Sequence, residues 1–234
     1  MLRAILFDFN GVLVDDEPVH LELLQRILGE EGIGLSPEDY YGQYLGLDDR
    51  GCLTAVLAAN GLAVTPPRLM RLIARKASYY QEHMRRGYPF FPGAVELIAA
   101  CARSGLMMGV VSGALREEVE GALGQAGLRP SFKVLVTAED VEAGKPDPEG
   151  YLRALDALNS LPPLPERLLH PHEVLAVEDS PAGLDAAAEV GLVTLGVAQT
   201  YPASHLGMAD VVAEKVSGLT PDRLRELFDE VSRR

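Results

Sequence analysis

Six short apolar runs constrain the fold of this chain more than any other feature of its sequence. They are typical of buried strands, and most are separated by segments with the apolar spacing of amphipathic helices. The runs are Ala4–Phe7, Leu106–Val111, Lys133–Val136, Val174–Val177, Leu192–Gly196 and Val211–Ala213. Strands that alternate with helices predict a Rossmann-like α/β fold, with a doubly wound, mainly parallel sheet and helices on both faces.

Residues 16–88 interrupt this alternation, because they show helical patterns and no strand pattern. Four helices are predicted here: one from near Asp16 to about Glu31, and three more over Pro37–Tyr44, Asp48–Asn60 and Pro66–Arg86. We therefore predict an α/β core domain of residues 1–15 and 89–234, with an inserted helical cap domain of residues 16–88. A cleft between such domains is the expected ligand site.

The charge of the chain limits its partners. With 34 acidic and 21 basic residues, the formal net charge is −13. This excess argues against nucleic acid and against an anionic membrane surface as partners. It also means that an anionic ligand needs a local cluster of cations.

The location of the protein is expected to be cytoplasmic. Cys52 and Cys101 show no metal-ligand spacing, and so low a cysteine content fits a reducing compartment. The sequence shows no signal-peptide pattern and no run long enough to span a membrane. We leave the oligomeric state open, a monomer being compatible with the sequence.

Polar residues follow several of the predicted strands at the point where each strand ends. Asp8, Ser112 and the pair Glu178-Asp179 come directly after strands, and Lys145 lies in a loop near another. Because the carboxyl ends of parallel strands line one edge of a sheet, the three carboxylates are expected to lie close together. Two such charges about 4 Å apart repel by roughly 4 kcal/mol at an effective dielectric of 20, so a cation is required.

Oxygen ligands alone favour Mg²⁺ over Zn²⁺ at this edge. The hydroxyl of Ser112 and the ammonium of Lys145 suit the oxygens of a phosphoryl group. Taken singly, each residue also has a simpler interpretation. Ser112 fits turn chemistry, Lys145 fits a solvated loop charge, and Ser180 before Pro181 fits a helix cap. The ordered occurrence of all of them favours a site.

Four segments together resemble the four ordered motifs of the haloacid dehalogenase-like (HAD) hydrolase superfamily. The segments are Asp8-Phe9-Asn10-Gly11-Val12, Val111-Ser112-Gly113, Gly144-Lys145-Pro146-Asp147-Pro148 and Val177-Glu178-Asp179-Ser180. The resemblance extends over nearly the whole chain, and the helical insertion after the first motif is similar to that of β-phosphoglucomutase-like enzymes and phosphatases.

The resemblance implies a role for each motif. Asp8 would be the nucleophile that forms an aspartyl-phosphate, while Ser112 and Lys145 would hold the phosphoryl oxygens and Gly113 would lie at the substrate. Phosphoryl transfer of this kind depends on positioning and charge neutralisation, which agrees with the residue types present. The implied Mg²⁺ ligands are Asp8, the backbone carbonyl of Asn10 and Asp179, with Glu178 beside them.

Asn10 departs from the pattern of the superfamily. The usual residue two positions after the nucleophile is a second Asp that acts as the general acid and base. An amide cannot transfer a proton at neutral pH, although its backbone carbonyl remains available to a metal. General acid–base catalysis is worth about 10²–10⁴-fold, so the amide of Asn10 is expected to weaken turnover of sugar phosphates.

Three residues of the helical insertion are candidates for substrate binding. Lys76 lies on the apolar stripe of a predicted helix, where snorkelling of its side chain to solvent is the favoured interpretation and anion binding the alternative. Arg50 begins a helix and is either solvated or a clamp for a second phosphate. His20 is either a packing histidine or a ligand. By a looser resemblance, all three are placed where β-phosphoglucomutases contact their sugar phosphate.

The leading prediction is a Mg²⁺-dependent phosphatase that acts on a small phosphorylated metabolite, with a sugar phosphate as the expected class. One alternative is a β-phosphoglucomutase-like hexose-phosphate mutase, which shares the chemistry but donates the phosphoryl group to a sugar hydroxyl. A third hypothesis, suggested by Asn10, is a catalytically impaired phosphate-binding or regulatory protein.

Overall fold

The structure, a computed structural model, describes residues 1–233. The chain forms two compact units, each with its own buried core. The first, which we call the α/β unit, comprises Met1–Asp15 and Pro89–Arg234, and the second, the helical unit, comprises Asp16–Tyr88. Along the chain the helices are α1 Glu17–Gly29, α2 Pro37–Asp39, α3 Asp49–Ala59, α4 Pro66–Met84, α5 Ala94–Arg103, α6 Arg116–Gln125, α7 Glu149–Ser160, α8 Pro181–Glu189 and α9 Pro221–Ser232.

A sheet of six parallel strands forms the centre of the α/β unit. The strands are β1 Ala4–Phe7, β2 Met107–Val111, β3 Val134–Val136, β4 Val174–Glu178, β5 Val193–Val197 and β6 Val211–Ala213. Their order is β3-β2-β1-β4-β5-β6, so the direction of winding reverses between β1 and β4. The predicted doubly wound α/β fold is confirmed. Open sheets of this type bind ligands at the carboxyl ends of the strands, where the winding reverses.

The two central strands are buried along their whole length. All four residues of β1 and all five residues of β4 are buried. Helices cover the sheet, since α7 packs against β2 and β3 and α8 packs against β4 and β5. Burial on both faces explains why these strands are continuous apolar runs in the sequence rather than alternating ones.

Hydroxyl side chains begin α8 and α9. The Ser180 hydroxyl accepts a hydrogen bond from the Gly183 amide at 3.1 Å, and the Thr220 hydroxyl accepts one from the Arg223 amide at 3.2 Å. Proline follows each of these caps, at the first helical position, where the missing N–H loses no hydrogen bond.

Helices α1, α3 and α4 enclose the core of the helical unit. The buried residues of this core include Leu24, Ile27, Leu28, Leu53, Val56, Leu57, Leu69 and Leu72. The helix predicted over Pro37–Tyr44 is wrong in part, because α2 ends at Asp39 and Tyr40–Tyr44 forms a π-helical turn. Gly42 weakens a regular helix there, and the buried Tyr40 hydroxyl donates to Glu17 on α1.

None of the helices in the described part of the chain is both long and apolar enough to cross a membrane.

Candidate active site

The carboxylates of Asp8 and Glu178 are brought together by the two central strands. Phe7 of β1 pairs with Val177 of β4, and the Asp8 amide donates to the Val177 carbonyl at 2.9 Å. Asp8 therefore continues the ladder one residue beyond β1, while Glu178 is the last residue of β4. Both lie at the carboxyl edge of the sheet where its winding reverses, which is the position expected for a ligand site.

Lys145 holds these two carboxylates from one side. Its Nζ lies 2.8 Å from Asp8 Oδ1 and 2.6 Å from Glu178 Oε1, and it donates to the Val111 carbonyl at 3.0 Å. Burial lowers the pKa of Lys145, but the charges and hydrogen bonds of Asp8 and Glu178 outweigh it and raise the pKa above its usual value. The ammonium is therefore charged, and its three protons each face an acceptor.

Glu178 is fully buried, and its two carboxylate oxygens have different surroundings. Oε1 accepts from Lys145 and from the Tyr151 hydroxyl. Oε2 has no hydrogen-bond partner among the described residues. Burial raises the pKa of Glu178 to about 7, with Lys145 acting against the shift and Asp8 adding to it. The position of the carboxylate depends on Gly183, because a Cβ there would lie 2.0 Å from Oε2.

Asp179 adds a third buried carboxylate. Burial, together with the charges of Asp8 and Glu178, raises the pKa of Asp179 well above its usual value. Gly11, in the loop after β1, makes room for this side chain, since a Cβ at Gly11 would lie 1.9 Å from Asp179 Oδ2. Gly11 also has φ of +76°, a backbone conformation that favours glycine.

The three carboxylates form a group that fits a divalent cation. Asp8, Glu178 and Asp179 each offer one oxygen, and these oxygens lie within 4.8 Å of one another. Three carboxylates and the Lys145 ammonium have a formal charge of −3 + 1 = −2 when all are ionised. The unpartnered Oε2 of Glu178 is a buried acceptor that still needs a donor or a cation. Carboxylate oxygens are the ligands of hard cations such as Mg²⁺.

Asn10 and Ser112 lie on the neighbouring part of the same edge. The Ser112 hydroxyl donates to Asn10 Oδ1 at 3.3 Å and accepts from the Ala114 amide at 3.0 Å. The Ser112 amide extends the pairing of β2 with β3 by donating to the Val136 carbonyl. Gly113 is exposed, and a Cβ at this position would meet no atom within 4 Å.

Two of the predicted substrate-binding residues, His20 and Lys76, lie side by side in the helical unit. Lys76 is only 2% exposed and pairs with Asp49, so the interpretation of a side chain that snorkels to solvent is wrong. His20 stacks on Tyr80, and the Tyr80 hydroxyl and His20 Nε2 both contact Asp16 Oδ2, at 2.6 Å and 3.2 Å. The contacts of Tyr80 with His20 and Asp16 join α4 to the first turn of α1, which sequence spacing did not reveal.

The protonation of His20 follows from its two neighbours. Burial and the Lys76 charge lower the pKa of His20, whereas the hydrogen bond and charge of Asp16 raise it, with a net upward direction. The geometry limits this shift, since Nδ1 lies 2.6 Å from the Lys76 ammonium and must accept a hydrogen bond from it. A neutral ring with its proton on Nε2, donated to Asp16, satisfies both contacts.

Arg50, the third predicted residue of this unit, is exposed in the first turn of α3. Sequence reasoning did not single out Tyr151, Gln199 or Thr200, which the structure places at the carboxylate group or at the loop after β1. Gln199 and Thr200 follow β5, so the rule that polar residues after strands line the carboxyl edge applies to them too.

The comparisons with known proteins agree with this geometry. A family model described as haloacid dehalogenase-like hydrolase matches residues 2–191. The chain belongs to this family. It is 30% identical to N-acetylmuramic acid 6-phosphate phosphatase of Pseudomonas aeruginosa, over 99% of this chain and 96% of that protein. It is 29% identical to validoxylamine A 7'-phosphate phosphatase of Streptomyces hygroscopicus subsp. limoneus, over 93% and 95% of the two chains.

Among solved structures, β-phosphoglucomutase from Clostridium difficile superposes with a TM-score of 0.84, covering 100% of both chains at 20% identity. That likeness concerns the fold. The predictions of a HAD-like hydrolase with phosphatase relatives and of a β-phosphoglucomutase-like fold are thereby confirmed.

Proposed function

We propose that this HAD-like hydrolase is a Mg²⁺-dependent phosphatase that uses Asp8 as a nucleophile on a small phosphorylated carbohydrate. The observation that carries the proposal is the position of the Asp8 carboxylate, held 2.8 Å from the Lys145 ammonium within a group of three carboxylates. A phosphoryl group is a dianion and needs both cations and a nucleophile at such a site.

The residues of the chain divide the work of the first half-reaction. A carboxylate oxygen of Asp8 attacks phosphorus, and the bond from phosphorus to the leaving oxygen breaks. The electron pair of that bond stays on the leaving oxygen, which then takes a proton from solvent water, because the Asn10 amide has none to give. Lys145 and the Ser112 hydroxyl provide donors for the phosphoryl oxygens, and a substrate oxygen would replace one of the present acceptors of Lys145. The product is an aspartyl-phosphate on Asp8.

In the second half-reaction, water attacks the phosphorus of the aspartyl-phosphate and releases inorganic phosphate, and the Asp8 carboxylate is restored. Asp8, Glu178 and Asp179, with the backbone carbonyl of Asn10, would hold the Mg²⁺. When bound, Mg²⁺ supplies positive charge that neutralises the carboxylates and the transferred group. Asn10 cannot serve as the proton carrier in either half-reaction.

The proposed substrate class rests on the relatives. Two phosphatases similar over nearly the whole chain are named for phosphorylated carbohydrates or carbohydrate-like compounds. His20, Arg50 and Lys76 remain proposed substrate-binding residues. Arg50 is the exposed member of the three, whereas the Lys76 ammonium is already paired with Asp49.

A phosphate-release assay over a panel of sugar phosphates tests the proposal. We expect release that requires Mg²⁺, stops with a chelator and is lost in Asp8→Asn. Asp156→Asn is the matched control, because Asp156 is an exposed residue of α7. Mg²⁺-independent release, or full activity of Asp8→Asn, would overturn the assigned role of Asp8.

The same assay separates the alternatives. Formation of an isomeric sugar phosphate without phosphate release would identify a mutase. Binding of phosphate with no turnover of either kind would identify the impaired binding protein that Asn10 suggests.

A further inference from the structure

The segment after β5 returns to the loop that carries the proposed nucleophile. Gln199 Nε2 donates to the Gly11 carbonyl at 2.9 Å and lies 3.4 Å from the Val12 carbonyl. At the other end of the same amide, Oε1 accepts from the Val216 amide at 2.9 Å. One side chain thus joins the loop after β1 to the segment after β6. Because its donor and its acceptor are both used, the orientation of the amide is fixed.

Thr200, the next residue, lies against Asp179. A Cβ at Gly11 would be 1.9 Å from Asp179 Oδ2 and 2.6 Å from Thr200 Oγ1, so the carboxylate and the hydroxyl converge on the same point of the loop. The hydroxyl of Thr200 also hydrogen-bonds to the Asp179 carboxylate. Asp179 therefore has a partner outside the carboxylate group itself.

The contacts of Gln199 and Thr200 involve two parts of the site, the loop at Gly11 and the Asp179 carboxylate. Gly11 is three residues after Asp8, and its carbonyl is the acceptor that Gln199 uses. Asp179 offers an oxygen to the carboxylate group, and rotation of its side chain would move that oxygen. Partners of metal-binding carboxylates typically change metal affinity or activity by 10–100-fold when they are removed.

We propose that Gln199 and Thr200 are positioning residues of this site: Gln199 holds the loop that carries Asp8, and Thr200 orients the Asp179 carboxylate for the divalent cation. The inference rests on the proposed function, since it concerns the same carboxylates. Neither residue contacts the phosphoryl group in this assignment, and each acts through another residue.

Thr200→Val tests the second half of this proposal, because it keeps the shape of the side chain and removes the hydroxyl. We expect the affinity for Mg²⁺, measured by calorimetric titration of the metal alone, to fall about 10-fold or more. Thr200→Ser retains the hydroxyl and is expected to restore affinity to within about threefold of wild type. Thr194→Val is the matched control, since Thr194 lies on β5, the strand that precedes Thr200, and its hydroxyl donates to Asp210 instead.

Gln199→Met tests the first half, because it preserves length and removes both hydrogen bonds. We expect kcat to fall about 10-fold or more with little change in KM, because the loop carrying the nucleophile loses its support. Gln199→Glu keeps the acceptor for Val216 but not the donor to Gly11, and is expected to resemble Gln199→Met. Gln25→Met, which removes a bond from a glutamine amide to the Leu35 carbonyl in the helical unit, is the control for general loss of stability.

The outcomes separate this inference from the proposed function. Thermal unfolding measured without metal identifies variants that merely lose stability. If Thr200→Val does not fold, the Mg²⁺ affinities of Thr200→Ser and Thr200→Ala are compared instead. If wild type binds Mg²⁺ and releases phosphate while Thr200→Val binds Mg²⁺ equally well and Gln199→Met keeps kcat, the positioning roles are refuted and the function stands. If wild type neither binds Mg²⁺ nor releases phosphate, both proposals are refuted.

Discussion

Replacing Asn10 with Asp restores a group that can carry a proton two residues after the proposed nucleophile. The Asn10 side chain lies beside Ser112, whose hydroxyl donates to Oδ1 at 3.3 Å, and a carboxylate oxygen can accept the same hydrogen bond. The substitution therefore keeps the shape and this contact while it changes the proton chemistry. A sugar alkoxide is a poor leaving group without a proton donor, whereas an aryl oxide is a weaker base and needs less help.

The size of the effect follows from the contribution of general acid–base catalysis. We expect Asn10→Asp to raise kcat on a sugar phosphate by about 10²–10⁴-fold, which corresponds to about 3–5 kcal/mol of barrier. The gain on an aryl phosphate should be smaller. A proton carried by another group, such as a bound water, would reduce the gain on both substrates.

The assay compares steady-state kcat of both proteins on one sugar phosphate and one aryl phosphate. Asn60→Asp is the matched control, because Asn60 is an exposed residue of the helical unit and its substitution adds the same charge. An equal gain of Asn10→Asp on the two substrates, or no gain, would show that a missing proton carrier does not limit this enzyme.

Three further variants test the electrostatics. Lys145→Ala should lower phosphate release about 10²-fold or more, because it removes the cation beside the proposed nucleophile; activity near wild type would show that the phosphoryl group binds elsewhere. Lys76→Ala should lower the free energy of unfolding by about 2 kcal/mol or more, since it leaves Asp49 without its buried partner; urea unfolding at pH 7 measures this, and an unchanged value would contradict it. The hydrogen bond from Arg167 lowers the pKa of Glu173 to about 2 from 4.5. The stability that this carboxylate contributes is therefore present above about pH 4.5 and is lost as the pH falls towards 2. The difference in unfolding free energy between wild type and Glu173→Gln should shrink over that range, and a difference independent of pH would argue against the shift.

Much of the site could be predicted from the sequence because its residues follow strands of one parallel sheet. Once β1 and β4 are recognised as parallel strands of one sheet, their carboxyl ends are expected at the same edge, and the structure pairs them so that Asp8 and Glu178 lie together there. The same rule did not reveal which loop residues turn back to the site. Gln199 reaches a carbonyl 188 positions earlier in the chain, and no local pattern encodes that distance.

The buried pairs of the helical unit were beyond sequence reasoning for a similar reason. A lysine on an apolar stripe reaches solvent unless another helix supplies a carboxylate, and Asp49 on α3 does so for Lys76 on α4. Helix periodicity predicts the side of its own helix on which each residue lies. It does not predict which sides of the two helices pack together. The π-helical turn at Tyr40–Tyr44 likewise takes part in a contact between helices, since the Tyr40 hydroxyl donates to Glu17 on α1.

The central claim is that Asp8 carries the phosphoryl group, and trapping that intermediate tests it most directly. The protein is mixed with Mg²⁺ and an acyl phosphate, quenched in acid and digested, and the modified peptide is located by mass spectrometry. Because Asn10 lacks the base that would speed hydrolysis, the intermediate should accumulate. We predict one phosphoryl group on Asp8 and none in Asp8→Asn. Turnover of the acyl phosphate with no phosphoryl group on Asp8 would contradict the account. A phosphorylated peptide that is still found in Asp8→Asn would contradict it as well.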